Sequence, residues 1–254
     1  MEFEELKEFL NLKADYYQSQ EFIKVDPIQI PHRFSKKKDI EIAGFLAATI
    51  AWGNRNSIIK SGNKMMELME ESPHDFVINH QPKDLNRFKD FVHRTFNAED
   101  LKYFIQALQS IYQTHGGIES LLEKLTSTMP LQTSLHYFKK TFFELPHQAR
   151  TQKHLADPLK GSAAKRINMY LRWMVRSNTS GVDFGLWKSI HPRQLSCPLD
   201  VHTGNVARKL GILKRKQNDA KAVLELDYKL QLMDPEDPVK YDFALFGLGA
   251  FEKF

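Results

Sequence analysis

The stretch PLDVHTGNVARKLGI, Pro198 to Ile212, holds a single carboxylate, Asp200, in a run otherwise apolar, neutral or basic. Proline disfavours helix in the residue before it and suits a chain entering one. Asp200 therefore reads as the N-cap of a helix running to about Leu210, its carboxylate accepting the first free amides. Two readings of this acid stand at this point: a helix cap, or an acid placed for chemistry.

Upstream, Lys160 to Val175 reads KGSAAKRINMYLRWMV. Gly161 and Ser162 form a tight turn ahead of a helix, Lys165 to Arg176, and exposed amides at a helix start make a ready phosphate site. Lys165, Met169, Arg172 and Arg176 share one face, while Ile167, Tyr170, Leu171 and Met174 occupy the opposite one. Lys165 is either a solvated first-turn lysine or a cleft lysine whose pKa Arg172 and Arg176 help to lower, making it an amine nucleophile.

The surrounding pattern is helical almost throughout. Apolar spacing predicts helices over Glu4–Gln18, Lys38–Ala51, Ile58–Met69, Leu85–Arg94, Ala98–Thr114, Gly117–Thr126, Leu131–Phe143, Asp219–Met233 and Asp237–Phe251. Asn97, with Asp100 three residues on, comes close to a capping box. Val25–Ser35 reads as a proline-containing loop, and Ser72–Lys83 as a proline-containing loop or short turn. No segment alternates with period two, so the fold class is all-α with few strands.

With 254 residues and 42% hydrophobic content, the chain can bury a full core without staples. Its one cysteine, Cys197, excludes a disulfide framework and a cysteine-ligated zinc or iron–sulfur site within one chain. The start, MEFEELKEFL, is acidic and amphipathic rather than a signal peptide, and the longest apolar run, Ile42 to Trp52, is too short to span a bilayer, so a cytoplasmic protein with no membrane partner is expected. From Arg150 to Lys216 there are 14 Lys and Arg against 3 Asp and Glu, a net of +11 within a whole-chain charge of +5. Such a one-sided field suits a polyanion such as nucleic acid; solvation of helix faces is the plainer alternative.

The two elements together resemble the helix-hairpin-helix DNA glycosylases. The hallmark of that superfamily is a Pro-x-Asp-x-His segment followed by an amphipathic helix carrying Val, a basic residue and Leu-Gly; Pro198, Asp200, His202, Val206, Lys209, Leu210 and Gly211 fall in step. KGSAAKR looks like a degenerate form of the Gly-x-Gly-x-Lys hairpin, keeping Gly161 and Lys165 but with Ala163 for the second glycine. FLAATIAWGNRNS is similar to the first core helix and its Ser-Gln-Asn-Thr-like turn, with Asn54 kept and Trp52-Gly53 in place of Ser-Gln. DPVKYDFALFGLGA resembles the closing helix. The separation of 35 residues between Lys165 and Asp200 is nearer to the archaeal 8-oxoguanine glycosylases than to endonuclease III-like members, and the chain also looks like an uncharacterised bacterial family of the superfamily.

The resemblance implies a two-lobed helix-hairpin-helix glycosylase-like fold with the active cleft between lobes. One lobe would be residues 1–36 with 210–254; the other would be 37–209, containing the hairpin at about 158–176. It implies Lys165 and Asp200 as catalytic residues, and a base pocket of Trp52, Asn54, Met169, Arg172, Pro198, Asp242 and Phe246. Arg55, Lys160, Gly161, Ser162, Arg166, His202 and Arg208 would contact DNA. No cofactor is implied, since the four iron–sulfur cysteines are absent, although the hairpin is compatible with a monovalent cation. The implied partner is double-stranded DNA carrying a damaged base, met by a monomer associated with the nucleoid. The glutamine expected near the first helix turn is missing.

The chemistry fits those groups. Cleaving an N-glycosidic bond makes an oxocarbenium-like sugar, which a carboxylate at a helix start can stabilise while taking a proton from lysine. The neutral amine then attacks C1′, after the base has left the duplex. The expected activity is excision of a damaged base, 8-oxoguanine first, with Lys-mediated lyase action. The alternatives are a catalytically silent DNA-binding protein of the same fold and a monofunctional glycosylase in which Asp200 activates water. His202 reads as a structural hydrogen-bonder before a proton donor. Trp52 and Phe246 read equally as core or as stacking platforms, and Trp173 and Trp187 as packing. The ten His residues show no ligand-like spacing, so no metal site is expected.

Overall fold

The structure, a computed structural model, describes residues 2–254. It is mostly helical; among the described residues the only sheet is one two-stranded antiparallel ladder. Among the described residues no helix is long and apolar enough to cross a membrane. The chain forms two compact units. The first joins Met1–Lys24 to Asp157–Phe254, and the second is Val25–Ala156.

The first unit opens with α1 (Phe3–Tyr17), whose N-terminus is closed by a reciprocal capping box between Glu2 and Glu5, and α2 (Gln20–Val25) follows.

The second unit is built on α3 (Lys37–Thr49), buried continuously from Asp39 to Thr49. Around it lie α4 (Arg55–Leu68), α5 (Pro73–Asn79), strands β1 (Val92–His93) and β2 (Phe96–Asn97), α6 (Ala98–His115), α7 (Ile118–Thr126) and α8 (Leu131–Phe142). Its core is aromatic: Phe104 meets Phe142 at 4.8 Å and Phe96 at 5.3 Å between ring centroids, and Phe45 meets Phe142 at 5.5 Å. The Asn97–Asp100 capping box forms as expected.

Two expectations change in this unit. Ser72–Lys83 is not all loop, because Pro73 at a first helical position starts α5. Leu85–Arg94 is not a helix: a 3-10 turn covers Pro82–Phe88, and the chain then pairs Val92 with Asn97 and His93 with Phe96. Arg94, at φ 55°, turns this hairpin and lets Phe91 and Phe96 both point into the core.

The rest of the first unit comprises α9 (Lys165–Val175), α10 (Val201–Lys209), α11 (Ala220–Met233) and α12 (Tyr241–Ala250). Leu10 of α1, Leu199, Val206, Leu226, Leu230, Leu245 and Leu248 share one core. Each such side chain contributes roughly 1.5–3 kcal/mol on leaving water. Trp173 and Trp187 are fully buried, as their packing role requires.

Packing divides the chain differently from the sequence reading, which set boundaries at 36/37 and 209/210. Residues 157–209 belong with the terminal helices. The reason is visible in the bonds: Ser162 bridges Asp219, the Ala220 amide donates to the Gly161 carbonyl, and Arg172 of α9 pairs with Asp242 of α12.

Candidate active site

Asp200 caps α10, as its place after Pro198 predicts. Its backbone is extended, and Oδ1 accepts from the Thr203 amide at 3.0 Å. Its carbonyl accepts from the Gly204 amide at 2.9 Å and from Asn218 Nδ2 at 2.8 Å. The carboxylate is partly exposed, and among the described residues Oδ2 makes no hydrogen bond. One oxygen is spent on the helix; the other is not. The chain leading in is anchored by apolar burial: Cys197 is fully buried and Leu199 nearly so, and Pro198 is buried beside them.

Lys165 is the first residue of α9, entered through Ala164 at φ 48°. Its side chain is half-buried, with Nζ 3.2 Å from Met169 Sδ one turn on. Thioether sulfur is a weak acceptor. Among the described residues the ammonium forms no ion pair with a carboxylate.

Asp242, on the buried face of α12, connects the two. Burial pushes its carboxyl up to about 6; the Arg172 guanidinium pulls it down, the Asp200 carboxylate pushes it up, and the Lys165 ammonium pulls it down. Asp200 and Lys165, 35 residues apart in the chain, thus act electrostatically on one buried carboxyl.

Arg172 and Arg176, expected to face the lysine as cations, are each paired with carboxylates. Arg172 donates from Nη1 to Asp242 Oδ2 and from Nε to Asp183 Oδ1 at 3.4 Å. Arg176 donates from Nη1 to Asp183 Oδ2 at 2.8 Å and from Nε to Asp237 Oδ1 at 2.9 Å. Both guanidinium groups lie over the Phe243 ring, at 4.1 and 5.5 Å from its centroid. Their charge is already answered by three carboxylates, so Arg172 fixes Asp242 rather than offering a free cation. Phe246 is half-buried against Phe22, His202 and Phe251, and Met169 is buried behind Lys165.

The hairpin is tighter than a phosphate cradle built on the Gly161 and Ser162 amides requires. The Gly161 amide donates to Pro158 O at 3.0 Å and the Ser162 amide to Asp157 O at 3.3 Å. Ser162 Oγ accepts from the Ala164 amide at 3.1 Å. Lys160 is exposed at its tip. Arg166 is partly buried, and that burial lowers its guanidinium to about 10. Arg208 is committed inward, giving Nε to Arg215 O at 2.8 Å and Nη2 to Asn218 Oδ1 at 2.5 Å. His202 is exposed, its ring edge-on to Phe246.

Three predicted site residues lie in the second unit rather than with Lys165 and Asp200. Trp52 is partly exposed, its ring edge-on to His93 and stacked on His154. Asn54 caps α4, accepting from the Ser57 amide at 3.1 Å. Arg55 opens that helix.

Sequence reasoning missed Asp227, Asp183, Asp237 and Asn218. Asp227 had a readable signal: it is an acid on the face of α11 that otherwise carries Ala222, Val223, Leu226, Leu230 and Met233. The others have none, because their partners are set by tertiary structure.

Comparison with known proteins gives one match. A family described as "Protein of unknown function (DUF2400)" covers residues 26–251. No curated protein matches, and no solved structure matches.

Proposed function

This chain belongs to the DUF2400 family, and for this member of it we propose a DNA N-glycosylase with lyase activity, of the helix-hairpin-helix type. The reading rests on one observation: a lysine without a carboxylate partner and a capping aspartate with a spare oxygen both act on the same buried carboxyl of Asp242. In this reading Asp200 takes a proton from Lys165 Nζ, and the neutral amine attacks C1′ of the damaged nucleoside. The C1′–N bond breaks, its electron pair leaves with the base, and the proton that Asp200 took from Nζ passes to that base, restoring the carboxylate charge. Ring opening gives a protonated imine between Lys165 and C1′. Loss of a C2′ proton then expels the 3′-phosphate, cutting the strand. The Asp200 charge stabilises the cationic sugar, and the half-buried Phe246 offers surface to the extruded base. The substrate we favour is 8-oxoguanine in duplex DNA, acted on by a monomer at the nucleoid.

The test is borohydride trapping on a panel of lesion-bearing duplexes. Borohydride reduces the imine to a stable amine, so the expected result is a covalent protein–DNA adduct that Lys165→Gln abolishes. Base release lost in Asp200→Asn but kept in Lys165→Gln would instead mark water activation by the acid. Tight, salt-sensitive binding with neither product would mark a silent DNA-binding protein and sink the enzyme reading.

A further inference from the structure

We propose that Asp227 is a positioning residue for Asp200: it fixes, through the Cys197 backbone, the place from which that carboxylate works. The proposal rests on the glycosylase reading of Lys165 and Asp200, and adds a residue that acts through Cys197, three positions before Asp200.

The geometry is specific. Asp227 sits on the buried face of α11, and Oδ1 accepts from the Cys197 amide at 2.8 Å. It also accepts from the Ser196 side chain. Among the described residues no ion pair joins it to a cation. A buried carboxylate with no cation is costly. A hydrocarbon of similar size would serve the core of Leu226, Leu230 and Met233 better. What the carboxylate supplies, and hydrocarbon cannot, is an acceptor for the segment that ends at Asp200.

That segment is buried through Cys197, Pro198 and Leu199, but it has few other polar holds. Pro198 has no amide to donate. Cys197 is gripped a second time, loosely, by its thiol on Asp242 Oδ1 at 3.9 Å. Beyond Asp200, the Thr203 amide, the Gly204 amide and Asn218 fix the carboxylate and carbonyl from the α10 side. Asp227 is thus the anchor on the entering side. Without it, α10 and its cap can slide along the core, and a displacement of about 1 Å in a reacting group costs on the order of 10²-fold in rate.

The experiment compares Asp227→Ala and Asp227→Asn with the wild type. The probe is a duplex carrying one 8-oxoguanine, with single-turnover borohydride trapping, equilibrium binding to the same duplex, and hydrogen exchange across residues 196–204. Asp227→Ala should trap at least about tenfold more slowly with Kd within about twofold of wild type, and the Cys197 and Thr203 amides should exchange faster. Asp227→Asn keeps an oxygen acceptor for the Cys197 amide and should restore both rate and protection. An alanine variant that traps at the wild-type rate overturns the proposal, as does one whose rate loss is matched by loss of binding. Should the wild type give no adduct on any lesion, the glycosylase reading fails by itself. Exchange then still decides the anchor, and unchanged protection of the Cys197 amide in Asp227→Ala overturns it.

Discussion

Arg172 and Asp242 are hydrogen-bonded partners, Nη1 to Oδ2, with both side chains almost wholly shielded from solvent, and they tie α9 to α12 within the first unit. Lys165 stands at the start of one of those helices, and the other carries the carboxyl that feels both Lys165 and Asp200. Removing the guanidinium leaves Asp242 buried without a cation and Asp183 with one fewer. Arg172→Met should therefore lower unfolding free energy by about 3–5 kcal/mol, read as a shift in the urea midpoint. Adding Asp242→Asn should recover part of the loss. A single variant within about 1 kcal/mol of wild type would show that the pair is not what joins the helices.

Asp227 predicts a pH dependence of stability. Burial lifts its carboxyl from 3.8 to about 7, against the pull of the Cys197 amide and Ser196. The folded state therefore keeps a proton at pH values where the unfolded chain has lost it. Its contribution is most favourable below about pH 4 and is lost as pH rises toward 7. A shift of roughly three units corresponds to about 4 kcal/mol as a ceiling. Asp227→Asn should thus gain on the wild type in denaturant titrations between pH 4 and pH 7.5. A difference that stays flat over that window contradicts the prediction.

The contact of α1 with α12 runs through Gly247. A Cβ there would stand 2.2 Å from Tyr17 Cδ2, against a ring that is itself buried. Gly247→Ala should cost about 1–3 kcal/mol by overpacking, seen as a fall in Tm. Gly211, at φ 75° with nothing near its Cβ position, is the contrast: Gly211→Ala carries only the left-handed backbone cost, about 1 kcal/mol. Equal losses at both sites would argue against a steric origin at Gly247.

Binding to duplex DNA should weaken steeply with salt. The +11 region is less free than its count suggests, since Arg150, Arg172, Arg176 and Arg215 are paired with carboxylates. Apart from Lys165, the residues Lys160, Arg193, Lys209, Lys214 and Lys216 form no ion pair among the described residues. If these five meet phosphates, affinity should drop roughly 500-fold between 50 and 200 mM salt. Fluorescence anisotropy with an unmodified duplex measures it; a slope near zero would remove the polyanion reading.

The helices around Lys165 and Asp200 were legible because their signals are local. Proline before an acid and a three- or four-residue apolar step both report on the same turn of chain that they shape. Asp200 as cap and Asn97 with Asp100 were readable for that reason. The pairing of Arg172 with Asp242, 70 residues apart, is not, and for that reason the sequence alone offers Arg172 and Arg176 as cations acting on the lysine. Leu85–Arg94 failed for a related reason: its apolar residues suit a helix by spacing, yet Phe88, Phe91 and Phe96 are buried through a turn and a ladder whose stability comes from packing rather than propensity. The assignment of residues 157–209 to the terminal helices rests on bonds to Asp219, Ala220 and Asp242, which no window along the chain contains.

The first unit is interrupted in sequence by the whole of the second, and α1 rests chiefly on the last helix, α12. During synthesis the continuous second unit can fold as soon as Ala156 has left the ribosome, whereas Leu6, Leu10 and Tyr17 must wait, uncovered, until Tyr241–Ala250 emerges. Helix α1 is made before the second unit and seated only after it, so a chain stalled between them carries a finished second unit beside an uncovered apolar helix, which is the species a chaperone would meet.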